Sequence, residues 1–260
     1  MNEIVSNAYL YNLLETNSKF FNSPTFIIND PISIPHQFKK KEDIEISGLL
    51  TATIAWGQRI SIINNAKNLM LMMDNQPYDF IINADEKELI KFNRFVHRTF
   101  NGEDCIYFLI ALKHIYNNLG GLENVFTTAF KETGNIFETI VRFREIFFSY
   151  PHLERTRKHV SNPTNGSAAK RINMFLRWMV RSDNQGVDFG LWKGIRMSAL
   201  LCPLDLHTGN VARKLGLITR KQNDRKAVEE LMIVLRKFDA NDPVKYDFAL
   251  FGMGVTNQNH

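Results

Sequence analysis

The eight prolines of this 260-residue chain fall at a few breaks, and the intervals between them are long and rich in Leu, Ile, Phe, Met, Lys, Glu and Asn. A proline inside a helix removes a backbone donor and collides with the preceding turn, so proline-free intervals with apolar residues at three- and four-residue spacing read as helices. No convincing period-two alternation marks a strand, and neither a repeat nor a low-complexity tract is present. An all-α fold is therefore predicted. With 44% hydrophobic residues the chain can bury a substantial core, as one large domain or as two lobes.

Local punctuation places the elements. Helices are predicted over Glu3 to Glu15, from about Lys41, over Glu86 to Asn93, Asp104 to Leu119, Leu122 to Lys131, Ile136 to Phe148, Arg225 to Phe238 and Pro243 to Met253. Residues 23 to 38 hold Pro24, Pro31 and Pro35 and read as extended or irregular. Gly57 interrupts a helical pair that spans EDIEISGLLTATIAW and ISIINNAKNLMLMM.

Cys105 and Cys202 lie far apart and outside any Cys/His cluster, so no metal and no disulfide framework is expected. No apolar run is long enough to span a bilayer, and the first residues lack the pattern of a secretory signal, which predicts a cytoplasmic protein with no membrane partner. The net charge of +5 is modest but unevenly placed. Between Arg155 and Arg181 stand seven Lys or Arg and no Asp or Glu; between Lys193 and Lys226 eight face only Asp205 and Asp224. Clustered cations of this kind suit a polyanion such as a nucleic-acid backbone.

Two short stretches carry candidate chemistry. In AAKRINMFLRWMVR, Ala168, Ile172, Phe175, Leu176, Met179 and Val180 form an apolar stripe, and Lys170, Met174, Arg177 and Arg181 recur on the other face. The preceding NPTNGS offers Asn165 or Ser167 as N-cap and Gly166 for a positive φ. Lys170 thus stands in or near the first helical turn, where the helix field disfavours a cation; that suits an amine nucleophile, though for this helix taken alone a solvated lysine on a basic face is the more ordinary reading. In CPLDLHTGNVARKLGL, residues 202 to 217, Asp205 can cap a helix or serve as a fixed catalytic carboxylate.

The order of these motifs resembles that of the helix-hairpin-helix DNA glycosylases, the superfamily of endonuclease III and 8-oxoguanine glycosylase. GSAAK, Gly166 to Lys170, is similar to the hairpin's G-x-G-x-K, with Ala168 in place of the second glycine. PLDLHTGNVARKLGL, Pro203 to Leu217, resembles the family's V-D-T-H-V-x-R-V-x-N-R-L-G-L at Asp205, His207, Val211, Arg213, Leu215, Gly216 and Leu217. KRINMFLR resembles the string that begins at the catalytic lysine of archaeal 8-oxoguanine glycosylases. ATIAWGQRISIINNAKNLM resembles the early helix pair, with Gln58 where a glutamine probes the DNA. The cysteine cluster of endonuclease III is absent, and the resemblance requires RSDNQGVDFGLWKGI to loop out as an insertion.

What the resemblance implies is a two-lobed helical fold: residues 1–40 packing on the second lobe, 41–150 as one helical lobe, and 151–260 as the helix-hairpin-helix lobe. It further implies a monomeric base-excision-repair glycosylase with AP-lyase activity, without cofactor, acting on double-stranded DNA that contains a damaged base. Lys170 would be the nucleophile and Asp205 its carboxylate partner. The turn with Gly166 and Ser167, together with Arg155, Arg157, Lys158, Arg177 and Arg213, would grip phosphates. Trp56, Trp178 and Trp192 are candidates to stack on a base, His207 to support or cap, and Asp247 to contact the base or to cap and pair. The rival reading is a non-catalytic helix-hairpin-helix DNA-binding protein. The lesion stays open among oxidised purines, oxidised pyrimidines and abasic sites.

Overall fold

In the computed structural model, which describes residues 7–256, the chain is all-α, and no strand occurs among the described residues. In chain order the helices are α1 (Asn7–Phe21), α2 (Pro24–Ile28), α3 (Lys41–Thr53), α4 (Arg59–Met72), α5 (Pro77–Asn83), α6 (Glu86–Ile90), α7 (Gly102–Asn118), α8 (Gly121–Thr133) and α9 (Ile136–Phe147). They continue with α10 (Lys170–Val180), α11 (Leu206–Lys214), α12 (Arg225–Phe238) and α13 (Tyr246–Thr256), and short 3-10 turns link several of them. The chain divides into two compact units: residues 27–162, and residues 1–26 with 163–260. The breaks expected at 40/41 and 150/151 therefore fall at 26/27 and 162/163.

In the unit of residues 27–162, α8 and α9 lie against each other, with Phe126 and Phe143 stacked at 4.3 Å. The Tyr107 hydroxyl donates to the Phe147 carbonyl at 2.7 Å. The start of α7 is fixed by a capping box, in which the Asn101 side chain accepts from the Asp104 N–H and the Asp104 carboxylate accepts from the Asn101 N–H. The proline-rich segment departs from the expected extended chain. It folds as α2 and two 3-10 turns, because Pro31 and Pro35 occupy first-turn positions where a missing N–H costs nothing. Asp30 caps the first of these turns by accepting from the Ile32 N–H at 3.0 Å, and Ile32 and Ile34 go fully into the core.

In the other unit, α1 lies along α13, burying Leu10, Leu14 and Ser18 at four-residue spacing. That contact carries the helix on to Phe21, beyond the expected end at Glu15; residues 3–6 of the expected helix lie outside the described residues. Lys245 bridges Glu15 at 2.6 Å and Asp239 at 2.8 Å, and the Tyr246 hydroxyl donates to Glu15 at 2.7 Å. The segment expected to loop out, 181–195, is instead part of this core. Val187, Trp192 and Ile195 are buried, the Phe189 and Trp192 N–H groups donate to the Trp178 and Met179 carbonyls, and Trp192 stands edge-on to Phe175 at 5.4 Å. Its apolar side chains, spaced irregularly, leave no periodic signal, which is why it reads as a loop in the sequence.

Candidate active site

The turn before α10 is built from the residues that the sequence singles out, but not in the expected roles. Gly166 takes a φ of +82° and is exposed, its N–H donating to the Pro163 carbonyl and its carbonyl accepting from the Arg225 N–H. Ser167 accepts the Ala169 N–H at 3.1 Å. The N-cap position belongs to neither Asn165 nor Ser167: it is Ala169, in the left-handed region at φ +47° and without a side-chain cap. Ala168, in the place of the motif's second glycine, is buried at an ordinary φ, so a methyl group is accommodated there. Asn173, one turn into α10, donates from Nδ2 to the Ala168 carbonyl at 2.9 Å and clamps the turn to the helix.

Lys170 is then the first residue of α10, and its Nζ stands 3.9 Å from Oδ2 of Asp205. Asp205 is the N-cap of α11: its Oδ1 accepts the Thr208 N–H at 2.9 Å. The two carboxylate oxygens therefore divide the roles between them, one closing the helix and one facing the amine. Both side chains keep contact with solvent, at 29% and 18% exposure. Asn223 holds the backbone at this point by donating to the Asp205 carbonyl at 2.8 Å, and its Oδ1 accepts from Arg213. Gly209 makes room for that clamp, since a Cβ there would lie 2.4 Å from Asn223 Oδ1.

Arg177 is not on a solvated basic face. It is buried together with Arg181, and the apolar stripe extends around most of α10. Arg177 donates to Asp188 at 3.2 Å and to Asp247; Arg181 donates to the other oxygen of Asp188 at 3.0 Å, to Asp242 at 3.0 and 3.1 Å, and pairs with Asp183 at 2.8 Å. Asp183 in turn accepts from Asn22 at 2.6 Å. Both guanidinium groups lie over the Phe248 ring, at 4.4 and 5.3 Å. Burial would lower the Arg181 pKa, but Asp188 and Asp242 outweigh it and raise it; burial raises that of Asp242. A guanidinium so enclosed has no reach to a phosphate, and the expectation for Arg177 is corrected accordingly.

Asp247, on α13, is buried, and burial pushes its carboxyl up to about 6 against the opposing pull of Arg177, with the charge of Asp205 adding to the rise. Of the two roles open to it in the sequence, it takes pairing: its oxygens accept from Arg177 and from the Cys202 thiol, the latter at 3.5 Å. Cys202 is buried and its thiol is held protonated by burial and by Asp247. Among the charges that act on Asp247 are Asp205, which raises its carboxyl, and Lys170, which lowers it.

The remaining expectations sort by burial. Trp178 is fully buried with its indole N–H lacking an acceptor, and Trp192 is 1% exposed, so neither can stack on a base; Trp56 is half-buried. His207 is half-buried, edge-on to Phe251 at 6.1 Å. Arg213 donates to the Arg220 carbonyl at 2.8 Å and to Asn223, which makes it a strut of the turn after α11. Arg155 pairs with buried Asp104 at 3.0 Å, Arg157 approaches Glu154 at 3.6 Å, and Lys158 is exposed. Gln58, in the unit of residues 27–162, is exposed at the residue before α4. Sequence reading assigns no site role to Asp188, Asn173 or Asn223, and weighs Cys202 only as a metal ligand or disulfide partner. All are joined to the site through contacts five to forty-five positions away, for which spacing gives no sign.

Among the described residues no helix is long and apolar enough to cross a membrane, and no group of three or more His, Cys, Asp or Glu could hold a metal ion. No curated protein and no solved structure matches the chain. A family model does match, over residues 30–256, and by that match the chain belongs to the family described as Protein of unknown function (DUF2400).

Proposed function

We propose that the protein is a DNA glycosylase with AP-lyase activity, of the helix-hairpin-helix kind that its motifs resemble, acting through Lys170 and Asp205 on a damaged nucleotide flipped from a duplex. The observation that carries this reading is the approach of Lys170 Nζ to within 3.9 Å of the Asp205 oxygen not used in capping. An amine opening a helix, beside a carboxylate fixed by another helix start, is the arrangement a lysine nucleophile needs. Neutral Lys170 attacks C1′ as the glycosidic bond breaks; the departing base takes up a proton, and Asp205 balances the positive charge growing on the sugar. The proton given to the base comes from the attacking amine; opening of the C1′–O4′ bond, with O4′ taking a proton from solvent, leaves a protonated imine, which acidifies C2′, so that loss of a C2′ proton expels the 3′ phosphate.

The test is reduction with borohydride on a panel of single-lesion duplexes that includes an abasic site. A covalent protein–DNA adduct that disappears in Lys170→Gln is expected. No Lys170-dependent adduct on any duplex removes the lyase claim. Salt-sensitive DNA binding that survives Lys170→Gln, without base release in the wild type, would instead favour a non-catalytic binding protein.

A further inference from the structure

In the unit of residues 27–162, the second half of α4 and the end of the proline-rich segment line a cavity of about 360 Å³, walled by Gln37, Phe38, Lys67, Leu71 and Asn75. Lys67 and Leu71 stand one turn apart on α4, and Asn75 follows at the same four-residue spacing, so the three share one wall. That wall ends in a closed turn: the Asn75 N–H donates to the Met70 carbonyl at 2.9 Å and the Asp74 N–H to the Leu71 carbonyl at 3.0 Å. Asp74 and Asn75 both lie in the left-handed region, at φ +54° and +53°. Asparagine is the residue other than glycine that a helix end most readily places there, and here it adds a carboxamide to the cavity. The other wall is fixed by backbone bonds too, the Gln37 N–H donating to the Ile34 carbonyl at 3.0 Å and the Phe38 N–H to the Pro35 carbonyl at 3.1 Å.

The lining groups keep most of their bonding capacity. Lys67 is exposed and makes no ion pair or hydrogen bond among the described residues, and residues 46–73 hold no Asp or Glu to neutralise it. The Asn75 carboxamide also has no partner among the described residues, and Gln37 uses only Nε2, which donates to the Ser33 carbonyl at 3.4 Å. No other ring lies against half-buried Phe38 among the described residues, and Leu71 is 61% exposed. A free ammonium beside two carboxamides, with a ring and a leucine completing the wall, suits one anionic group on an apolar body. Asp74, exposed and next to Asn75 in the chain, opposes a second negative charge, which favours a carboxylate over a phosphate. The volume lies within the range of about 300–1,000 Å³ usual for small-molecule sites.

We infer that this cavity binds an apolar monocarboxylate, with Lys67 and the Asn75 Nδ2 holding the carboxylate and Phe38 and Leu71 covering the hydrocarbon. The residues are different from those of the proposed lyase, and the inference does not rest on that reading.

Methyl NMR of the whole, leucine-labelled protein tests it, with hydrocinnamate as probe and hydrocinnamamide as its uncharged counterpart. The Leu71 signal, assigned by its loss in Leu71→Ala, should shift saturably with hydrocinnamate, at a Kd of the order of a millimolar. The amide should bind at least about fivefold more weakly, and inorganic phosphate more weakly than hydrocinnamate. Lys67→Gln should weaken hydrocinnamate binding by roughly three- to tenfold. Asn75→Gly keeps the left-handed backbone and removes only the carboxamide, so it should weaken binding by about threefold or more without lowering Tm. No saturable shift, an amide that binds as well as the acid, or unchanged binding in Lys67→Gln overturns the inference. A tetrapeptide ending in a free phenylalanine carboxylate separates two sources of the same chemistry: tighter binding than hydrocinnamate supports a protein C-terminus as occupant, and weaker binding supports a free small acid. Lys170→Gln should bind hydrocinnamate as the wild type does, so failure of the borohydride trap leaves the cavity standing and a silent cavity leaves the trap.

Discussion

One oxygen of Asp205 accepts the Thr208 N–H at 2.9 Å while the other faces Lys170 Nζ at 3.9 Å. A single side chain thus closes α11 and aims a carboxylate at an amine, and substitutions can separate the two duties. Asparagine caps about as well as aspartate but carries no charge, whereas alanine does neither; removing a cap costs about 1 kcal/mol. Asp205→Asn is expected to melt within a degree or two of the wild type yet lose covalent trapping by at least about a hundredfold. Asp205→Ala should lose both. Equal loss of stability in the two variants would show that the carboxylate is structural only.

Asn223 provides a finer test of positioning, because it touches Asp205 only through the backbone carbonyl, at 2.8 Å. Asn223→Ala frees that carbonyl and removes one of the two acceptors of the Arg213 guanidinium, which keeps the Arg220 carbonyl. Trapping should slow by roughly tenfold, with the pH profile of the reaction unchanged, since no titrating group has been removed. A binding constant for abasic duplex that stays within about twofold would separate this effect from loss of a DNA contact.

Arg177 invites two different expectations that a pair of measurements can tell apart. Were it a phosphate contact, its removal would reduce DNA binding and leave stability alone. Buried between Asp188 and Asp247, it should do the opposite: Arg177→Met strands two buried carboxylates and should cost about 3–5 kcal/mol in urea unfolding. Pairing it with Asp188→Leu should recover part of that loss, because a buried charge left alone costs more than a missing pair.

The helices were legible in the sequence because their signals are local. The start of α3 at Lys41 and both ends of α12, Arg225–Phe238, lie where caps and periodicity place them. The α10 arginines misled for a physical reason: Arg177 and Arg181 recur at helical spacing as solvated cations would, and their carboxylate partners lie off the helix itself, Asp183 and Asp188 in the irregular segment just after it and Asp242 and Asp247 some sixty to seventy residues on. The 181–195 segment was illegible for a related reason, since Phe189 and Trp192 are anchored by backbone bonds to Trp178 and Met179 and not by a period of their own. Lys170 and Asp205 were legible because the motif order joins them; Asn173 and Asn223, which hold them in place, are ordinary asparagines in sequence.

That segment gives a direct check of its place in the core. Trp192 is 1% exposed against Phe175, so Trp192→Ala should cost about 3–5 kcal/mol. Removal of residues 183–194, which a solvent loop would tolerate, should abolish cooperative unfolding. A deletion variant that still melts sharply would return the segment to the status of an appendage.

Asp247 should leave a mark on the pH dependence of stability. Its carboxyl is raised by burial from an ordinary 3.8 to about 6, so the folded state holds the proton more tightly than the unfolded chain does. The sign follows: the favourable contribution of the protonated group is complete below about pH 4 and is lost as pH rises through about 6, amounting to about 2–3 kcal/mol. The groups that set this balance are Arg177 on α10, the Cys202 thiol, and the Lys170–Asp205 pair. Asp247→Asn cannot titrate, so the unfolding free energy of the wild type should fall by about 2–3 kcal/mol more than that of the variant between pH 4 and pH 7. Asp242, also raised by burial, contributes to both proteins and cancels; Asp224, held down at about 2 first by its hydrogen bond from Arg220, titrates below this window. Parallel curves for wild type and Asp247→Asn across the window would mean that Arg177 keeps the carboxylate ionised throughout, and that the Lys170–Asp205 pair always works beside a second negative charge.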